Sequence, residues 1–482
     1  MLKRHKAITN IVINLIMILI ILLLFLIEKS SLYFWIVLSA IFIIVNLLLW
    51  FSYEKRFLDF FLIFLVFFVL FTFGSFIPSI YKFKVFLPNY ITNYFSTIQI
   101  IRILFMIDLS FIFINIGGHL SKIKSKRLRK NSVVETKNEM FLIKIFGITI
   151  LLISIVPTFI DIIESIRFVN IYGYGASLYK EHLSTNVSFT MSLKTLFPYS
   201  MFYLVIAYSK SKSLSKVFLI SILLYALLIL FIGQRFSSIS LIIGALLLYD
   251  LSVERIINYK KLLYFSIFIF IITIPVLSQL RLLARVEWTF ELFINGILSV
   301  NNYDKFFFEI GNSIIPLFNT VFSGIFNEME GSTYFTTILY SIVPSDILQL
   351  FKISNENAML QLNYTKIINP GIYELGGGLG FSMIAEAYIN SELFYPVYLV
   401  IFGFIYESFF DLSKELVEAR KYIFVPIMIY LLQRVLFYVR SDLFDFYGNF
   451  KLSFYIFLML YISKEMINKT LIRRTVYNDI LK

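Results

Sequence analysis

A chain of 482 residues that is 59% hydrophobic and only 15% charged, with a mean hydropathy of +0.83, cannot cover its apolar surface as a soluble domain. Its net charge of +13 lies on no soluble basic stripe, which argues against a nucleic-acid-binding role and leaves membrane topology and anionic headgroups as its cause. Cysteine is absent, so disulfides, thiolate nucleophiles and Cys-ligated metals are excluded. His5, His119 and His182 are too scattered to suggest zinc.

The apolar stretches predict membrane helices, each needing about 20 residues to cross the hydrocarbon core. In chain order they fall near 8–27, 33–51, 58–77, 98–116 and 141–160, then 196–209, 217–233, 236–250 and 262–280, and finally 393–410, 422–438 and 450–463. The first follows Lys3, Arg4 and Lys6 as a signal peptide would, but Ile8–Ile27 is too long and no small-residue cleavage site follows. It reads as a retained span. Runs such as Ile11–Ile27 are apolar on every face, which excludes a barrel of alternating strands. The expected fold is an all-α polytopic membrane protein of about 12 spans. A few stretches are short, and one tight pair is open to reading as a re-entrant hairpin.

Twelve spans place both termini on one side, and the basic clusters Lys122–Lys130, Lys210–Lys216 and Arg473–Arg474 make that side cytoplasmic by the positive-inside rule. The chain then divides into helices and short loops over 1–280, a large external loop over 281–379, and further helices with a basic tail over 380–482. Pro316, Gly324, Gly331, Pro344 and Pro370 punctuate the large loop, which predicts short helices within it. A loop of this size in a compact protein is more often functional than decorative.

Cations are scarce outside, yet Arg235, Arg281 and Arg285 sit where the seventh to ninth spans emerge. Arg281 and Arg285 are four residues apart and share one helical face, so they can grip a phosphate or pyrophosphate bidentately. The alternative is a pair of arginines anchored among headgroups. Arg235, in Gly233-Gln-Arg235, has almost no loop to lift it into water and needs a partner, a polar cavity or a snorkelling route. Glu386 follows the glycine-rich stretch Gly376-Gly-Gly-Leu-Gly380 and falls among apolar residues, which suits a general base or a partner for a nearby arginine. Arg434 and Arg440 end the eleventh predicted span and can belong to the same cavity. Arg102, inside the fourth, carries the same intramembrane-charge argument. His182 lies in a tyrosine-rich external loop able to stack on sugars, although tyrosine is common throughout the chain. No Asp-x-Asp occurs, Glu328-Met-Glu330 being the nearest substitute, and no P-loop is present. Neither a metal nor another cofactor is expected.

Gly376-Gly-Gly-Leu-Gly-Phe-Ser-Met-Ile-Ala-Glu386-Ala-Tyr388-Ile-Asn390 resembles the glycine-rich, Ala-Glu-containing segment of Wzy-type oligosaccharide repeat-unit polymerases. Gly331-Ser-Thr-Tyr-Phe-Thr-Thr-Ile-Leu-Tyr-Ser-Ile-Val-Pro344 is similar to that family's Gly-x-x-Tyr run ending in proline, and Gly233-Gln-Arg235 between two spans is similar too. The likeness at motif level covers about residues 230–400. It implies a GT-C-like membrane core in the bacterial cytoplasmic membrane, acting on its outer face. The reaction implied moves a glycan from undecaprenyl pyrophosphate to another lipid-linked repeat unit, making O-antigen, lipopolysaccharide or capsule. The substrates, membrane lipids, and a chain-length regulator and flippase of the same pathway are the implied partners. Glu386 and Arg281 are then the expected catalytic residues, with Arg235, Arg285, Arg434, Arg440, His182 and Tyr388 holding pyrophosphate or glycan. An O-antigen-type ligase would use the same arginine chemistry. A flippase or transporter would favour pseudo-symmetric halves, and no convincing internal repeat is present.

Overall fold

The computed structural model describes residues 2–26, 31–54, 59–123, 133–172, 193–232, 234–254, 300–324, 333–351, 358–374 and 378–480. The described residues are helical and contain no strand. The first elements are α1 (Leu2–Leu26), α2 (Leu32–Glu54), α3 (Phe60–Thr72), α4 (Ile77–Tyr81), α5 (Asn89–Thr92), α6 (Thr97–Ile123) and α7 (Val133–Tyr172). Then come α8 (Leu196–Ala207), α9 (Lys212–Ile232), α10 (Arg235–Ser252), α11 (Val300–Gly311), α12 (Ile315–Phe322), α13 (Thr333–Ile342) and α14 (Ser345–Leu350). The last are α15 (Leu360–Ile368), α16 (Pro370–Glu374), α17 (Met383–Ser391), α18 (Tyr395–Glu418), α19 (Val425–Val435) and α20 (Tyr447–Ile480).

Among the described residues, 7 helices are long and apolar enough to cross a membrane, or up to 8 if the bent pair Phe60–Thr72 and Gly74–Tyr81 is one span. The predicted spans 196–209, 422–438 and 450–463 correspond to α8, α19 and the first half of α20. The predicted span 262–280 lies outside the described residues. Leu19, Leu48, Leu152 and Ile220 are each more than half exposed, so these helices turn apolar faces outward, as lipid requires and water would not tolerate.

Local chemistry sets where helices start and bend. Asp59 caps α3, its Oδ1 accepting from the amides of Phe61 and Leu62 at 3.0 Å each. Prolines 78, 316, 396 and 426 sit in the first turns of α4, α12, α18 and α19, where a missing N–H costs nothing. After α3 the chain bends by 59° into Gly74–Tyr81. The bend is held against the end of α11: a Cβ on Gly311 would lie 2.1 Å from the Ser75 amide nitrogen.

Helix α6 is the hub. It packs on α1, α2 and α18, and its contact with α18 is backbone to backbone. A Cβ on Gly117 would fall 2.1 Å from the Val400 carbonyl oxygen, and one on Gly403 would fall 2.3 Å from that of Ile114. Small residues facing each other let two membrane helices approach closely where no hydrophobic effect drives them together.

Candidate active site

Three short segments converge around the start of α17. Gly380, at φ +77°, turns the chain so that the Phe381 amide donates to the Arg440 carbonyl at 2.8 Å. A side chain at 380 would be strained at that φ and would also lie 3.3 Å from the Arg440 carbonyl oxygen. Glu386, in the first turn of α17, is wholly buried. Its carboxylate accepts from Thr333 Oγ1 at 3.2 Å, from the Leu443 amide at 2.9 Å and from the Tyr438 hydroxyl. Asn390 closes the other side, donating from Nδ2 to Thr333 Oγ1 at 2.6 Å. One carboxylate thus ties α13, α17 and the turn after Arg440 together.

That turn is acidic. Asp442 accepts from the Asp445 amide at 3.0 Å, capping the 3-10 turn Leu443–Phe446, and from the Gln361 amide at 2.7 Å. Ser441 donates to Gln361 Oε1 at 2.9 Å and also bonds Asp445. Burial pushes the Asp442 carboxyl well above the usual carboxylate range, and the nearby charges of Asp445 and Glu386 push it further. Burial also raises Asp445, opposed by the Ser441 hydrogen bond and the Arg440 charge.

Beside this turn the guanidinium groups gather at the N-terminal end of α10. Arg440 lies over the Phe236 ring at 4.1 Å and the Phe71 ring at 5.6 Å. Arg434 donates to Ser237 Oγ at 3.4 Å and to Tyr430 Oη at 3.3 Å. Arg235, the first residue of α10, faces Glu309 at 3.7 Å. Phe236 and Ser237, the next two residues of α10, are those Arg440 and Arg434 touch, so all three arginines have contacts at the first turn of α10. A guanidinium bonded to neutral hydroxyls, as Arg434 is, keeps its full charge, and the helix end adds its own positive potential.

A family profile for the O-antigen polysaccharide polymerase Wzy matches residues 8–470. The chain belongs to that family. No curated protein and no solved structure matches it. Membership makes this a multi-pass inner-membrane, glycosyltransferase-like polymerase that joins lipid-linked oligosaccharide repeat units into polysaccharide. Nothing found favours a ligase or a flippase.

Of the residues singled out from the Wzy-like sequence, Arg235, Arg434 and Arg440 have contacts at the first turn of α10, and Glu386 holds the turn that follows Arg440. Arg281, Arg285 and His182 lie outside the described residues. Tyr388 takes another direction: its ring is 6.3 Å from that of Tyr395, and residues two apart on a helix point to different sides. Arg102 stands apart as well, its guanidinium 5.8 Å from the Phe322 ring. The sequence reading missed Thr333, Tyr438, Gln361, Asp442 and Asp445. A signal was present in Arg440-Ser-Asp442-Leu-Phe-Asp445, where an Asp three residues before another polar residue marks a capped turn.

Proposed function

We propose that the repeat-unit donor is a polyprenyl-pyrophosphate-linked glycan and that arginines hold its pyrophosphate without a metal. The observation that carries this reading is Arg434, a guanidinium whose two hydrogen bonds go to neutral hydroxyls, those of Ser237 and Tyr430. Its partner Ser237 follows directly on Phe236, the ring under Arg440, and lies two residues after Arg235. Pyrophosphate is already a good leaving group, so the chief task is to neutralise the charge that develops on it. Arg281 and Arg285, four residues apart, would complete the grip, Arg281 in a catalytic role and Arg285 in binding. His182 and Tyr388 are the proposed glycan contacts.

Of the two roles open to Glu386, orientation is the better supported. Its carboxylate is wholly enclosed and already accepts three hydrogen bonds, whereas a base must reach the acceptor hydroxyl directly. In this reading Glu386 is a positioning residue that fixes the turn carrying Arg440. The site faces outward, both termini are cytoplasmic, and about twelve spans complete a GT-C-like core. A chain-length regulator and a flippase would act alongside.

The test is polymer formation from a synthetic polyprenyl-pyrophosphate repeat unit by the purified chain, with and without a chelator. Full activity in the chelator, and loss of the ladder in Arg434→Met at unchanged protein abundance, are expected. Loss of activity on chelation would overturn metal independence. A normal ladder from Arg434→Met would overturn the pyrophosphate assignment.

A further inference from the structure

A second polar array, on α1, α2 and α6, shares no residue with the proposed active site. On α6, Asp108, Asn115, His119 and Lys122 follow one another at steps of seven, four and three residues, so they form one helical stripe. On α2, Ser39, Asn46, Trp50 and Tyr53 repeat the same steps. The two stripes match with a constant offset of 69 residues, which means that α2 and α6 run parallel and in register. Ser39 donates to Asp108 Oδ2 at 2.7 Å, the Trp50 and His119 rings are 4.8 Å apart, and Lys122 lies 6.0 Å from the Tyr53 ring.

Helix α1 closes the groove antiparallel to both. Lys6 donates to the Ser52 carbonyl at 2.6 Å, Asn10 to the Leu49 carbonyl at 3.3 Å, and Asn10 Nδ2 is 3.5 Å from His119 Nε2. Asn46 reaches Met17 Sδ at 3.7 Å. That register puts Asn14, between Asn10 and Met17, level with Asn46 and Asn115. At one end the stripe meets Lys122, which pairs with Glu407 and with Asp411. At the other it stops at Asp108, about 21 Å away at the rise of an α-helix.

This seam is buried yet incompletely bonded. Asn14, Asn46, Asp108, Asn115 and His119 are each no more than 2% exposed. Both polar atoms of Asn14, one oxygen each of Asn46, Asp108 and Asn115, and Nδ1 of His119 have no hydrogen-bond partner among the described residues. Buried polar groups in folded proteins are almost always satisfied, by protein or by water. Here the unsatisfied atoms are strung along one line, on three helices, between a charge cluster and a carboxyl group.

We propose that α1, α2 and α6 enclose a file of water molecules that enters at the Lys122 end and terminates at Asp108, giving that carboxyl a route for proton exchange. The ligand is water, held by the free oxygens of Asn14, Asn46 and Asn115, and the proton moves between the file and Asp108 Oδ1. On the orientation proposed above, the open end is cytoplasmic. No other acid or base faces Asp108 among its described contacts: Ser39 is its partner on α2, and α1 carries no acid or base from Asn10 to Met17.

The absence of cysteine makes the test clean, because a thiol reacts with hydrophilic reagents only as a hydrated thiolate. The full chain in lipid nanodiscs is prepared as Asn115→Cys, Ser39→Cys and a lipid-facing control, Ile44→Cys, whose side is 55% exposed on α2. Silver ion, a thiol reagent no larger than a water molecule, should modify the first two at least about tenfold faster than the control, and adding Asn14→Leu should slow Ser39→Cys by a similar factor. Equal, slow rates at all three positions would overturn the proposal and leave the seam as dry helix-to-helix bonding. Fast Ser39→Cys labelling unaffected by Asn14→Leu would overturn the direction of entry. The unsubstituted chain gives a second readout that needs no folded cysteine variant. The infrared carboxyl band lost in Asp108→Asn should shift within mixing time in heavy water, and a band unshifted after hours would overturn the proposal equally.

Discussion

Two buried charged regions in this chain solve the same problem in opposite ways. Around Lys122 the charges are paired with one another directly: Lys122 pairs with Glu407 and Asp411, and Lys414 lies 3.4 Å from both Asp59 and Asp411. Around Arg434 and Glu386 the partners are neutral: the Ser237 and Tyr430 hydroxyls for the arginine, and Thr333, Tyr438 and the Leu443 amide for the acid. Paired charges hold helices together and leave little field for anything else. Charges held by hydroxyls and amides keep their field available to a ligand. On the function proposed above, the first cluster is structural and the second is where a pyrophosphate would be recognised.

Removing one cation from each cluster should separate the two roles most sharply. Lys122→Met leaves Glu407 buried beside two further acids, and breaking a buried pair in this way costs about 3–5 kcal/mol. The expected result is loss of folded protein, read from its abundance in membranes and its melting in detergent. Arg434→Met at the other cluster should keep the fold and lose polymer, by about 10²–10³-fold in rate. Normal abundance of Lys122→Met would break the comparison, as would collapse of Arg434→Met.

The acids should separate in the same sense. Glu386→Gln keeps an oxygen for one of its donors and loses the acceptor for another, so a partial loss of about tenfold in rate is expected. The pH profile of polymerisation should keep its shape, because a positioning group contributes no titration of its own. A profile that flattens in Glu386→Gln would restore the general-base role. Gly380→Ala tests the same turn through the backbone. Forcing a Cβ at φ +77° costs about 1–2 kcal/mol and displaces the Arg440 carbonyl, so the melting temperature should fall and the polymer ladder should shorten.

Much of this was legible in the sequence, and the gaps have physical causes. Apolar runs announced α1, α2, α6, α9 and α10, because lipid forces each span to be self-sufficient in backbone hydrogen bonds. Arg235 stood out because an arginine between two spans has nowhere ordinary to go. What stayed hidden was pairing over distance. Lys122 and Asp411 are 289 residues apart, and a lone polar residue within a span looks the same whether its partner is an ion, a hydroxyl or water. The stripe of Asp108, Asn115 and His119 became a seam only when the in-register α2 was laid beside it. Nothing in the sequence around Asp442 and Asp445 announces that Asp442 is buried, or that it accepts from the amide of Gln361.

Asp442 carries the smallest expected effect, and it sharpens the comparison through pH. Its folded carboxyl is raised above the ordinary value of 3.8 by burial and by the charges of Asp445 and Glu386. A raised carboxyl means that the folded state binds more protons than the unfolded state, so stability falls as pH rises from the unfolded value through the folded one. Below that window the cost is absent, and above it the cost is fully present. The chain should therefore melt higher in mild acid than in mild alkali, and Asp442→Asn should reduce that slope. The loss should be partial, because Asp445 is raised by burial as well. The paired cluster offers a control: Asp411→Asn, which removes an ion pair to Lys122, should lower the melting temperature at neutral pH without removing the acid-to-alkali decline. A decline that survives unchanged in Asp442→Asn would show that the outer turn is not where the folded chain holds its extra proton.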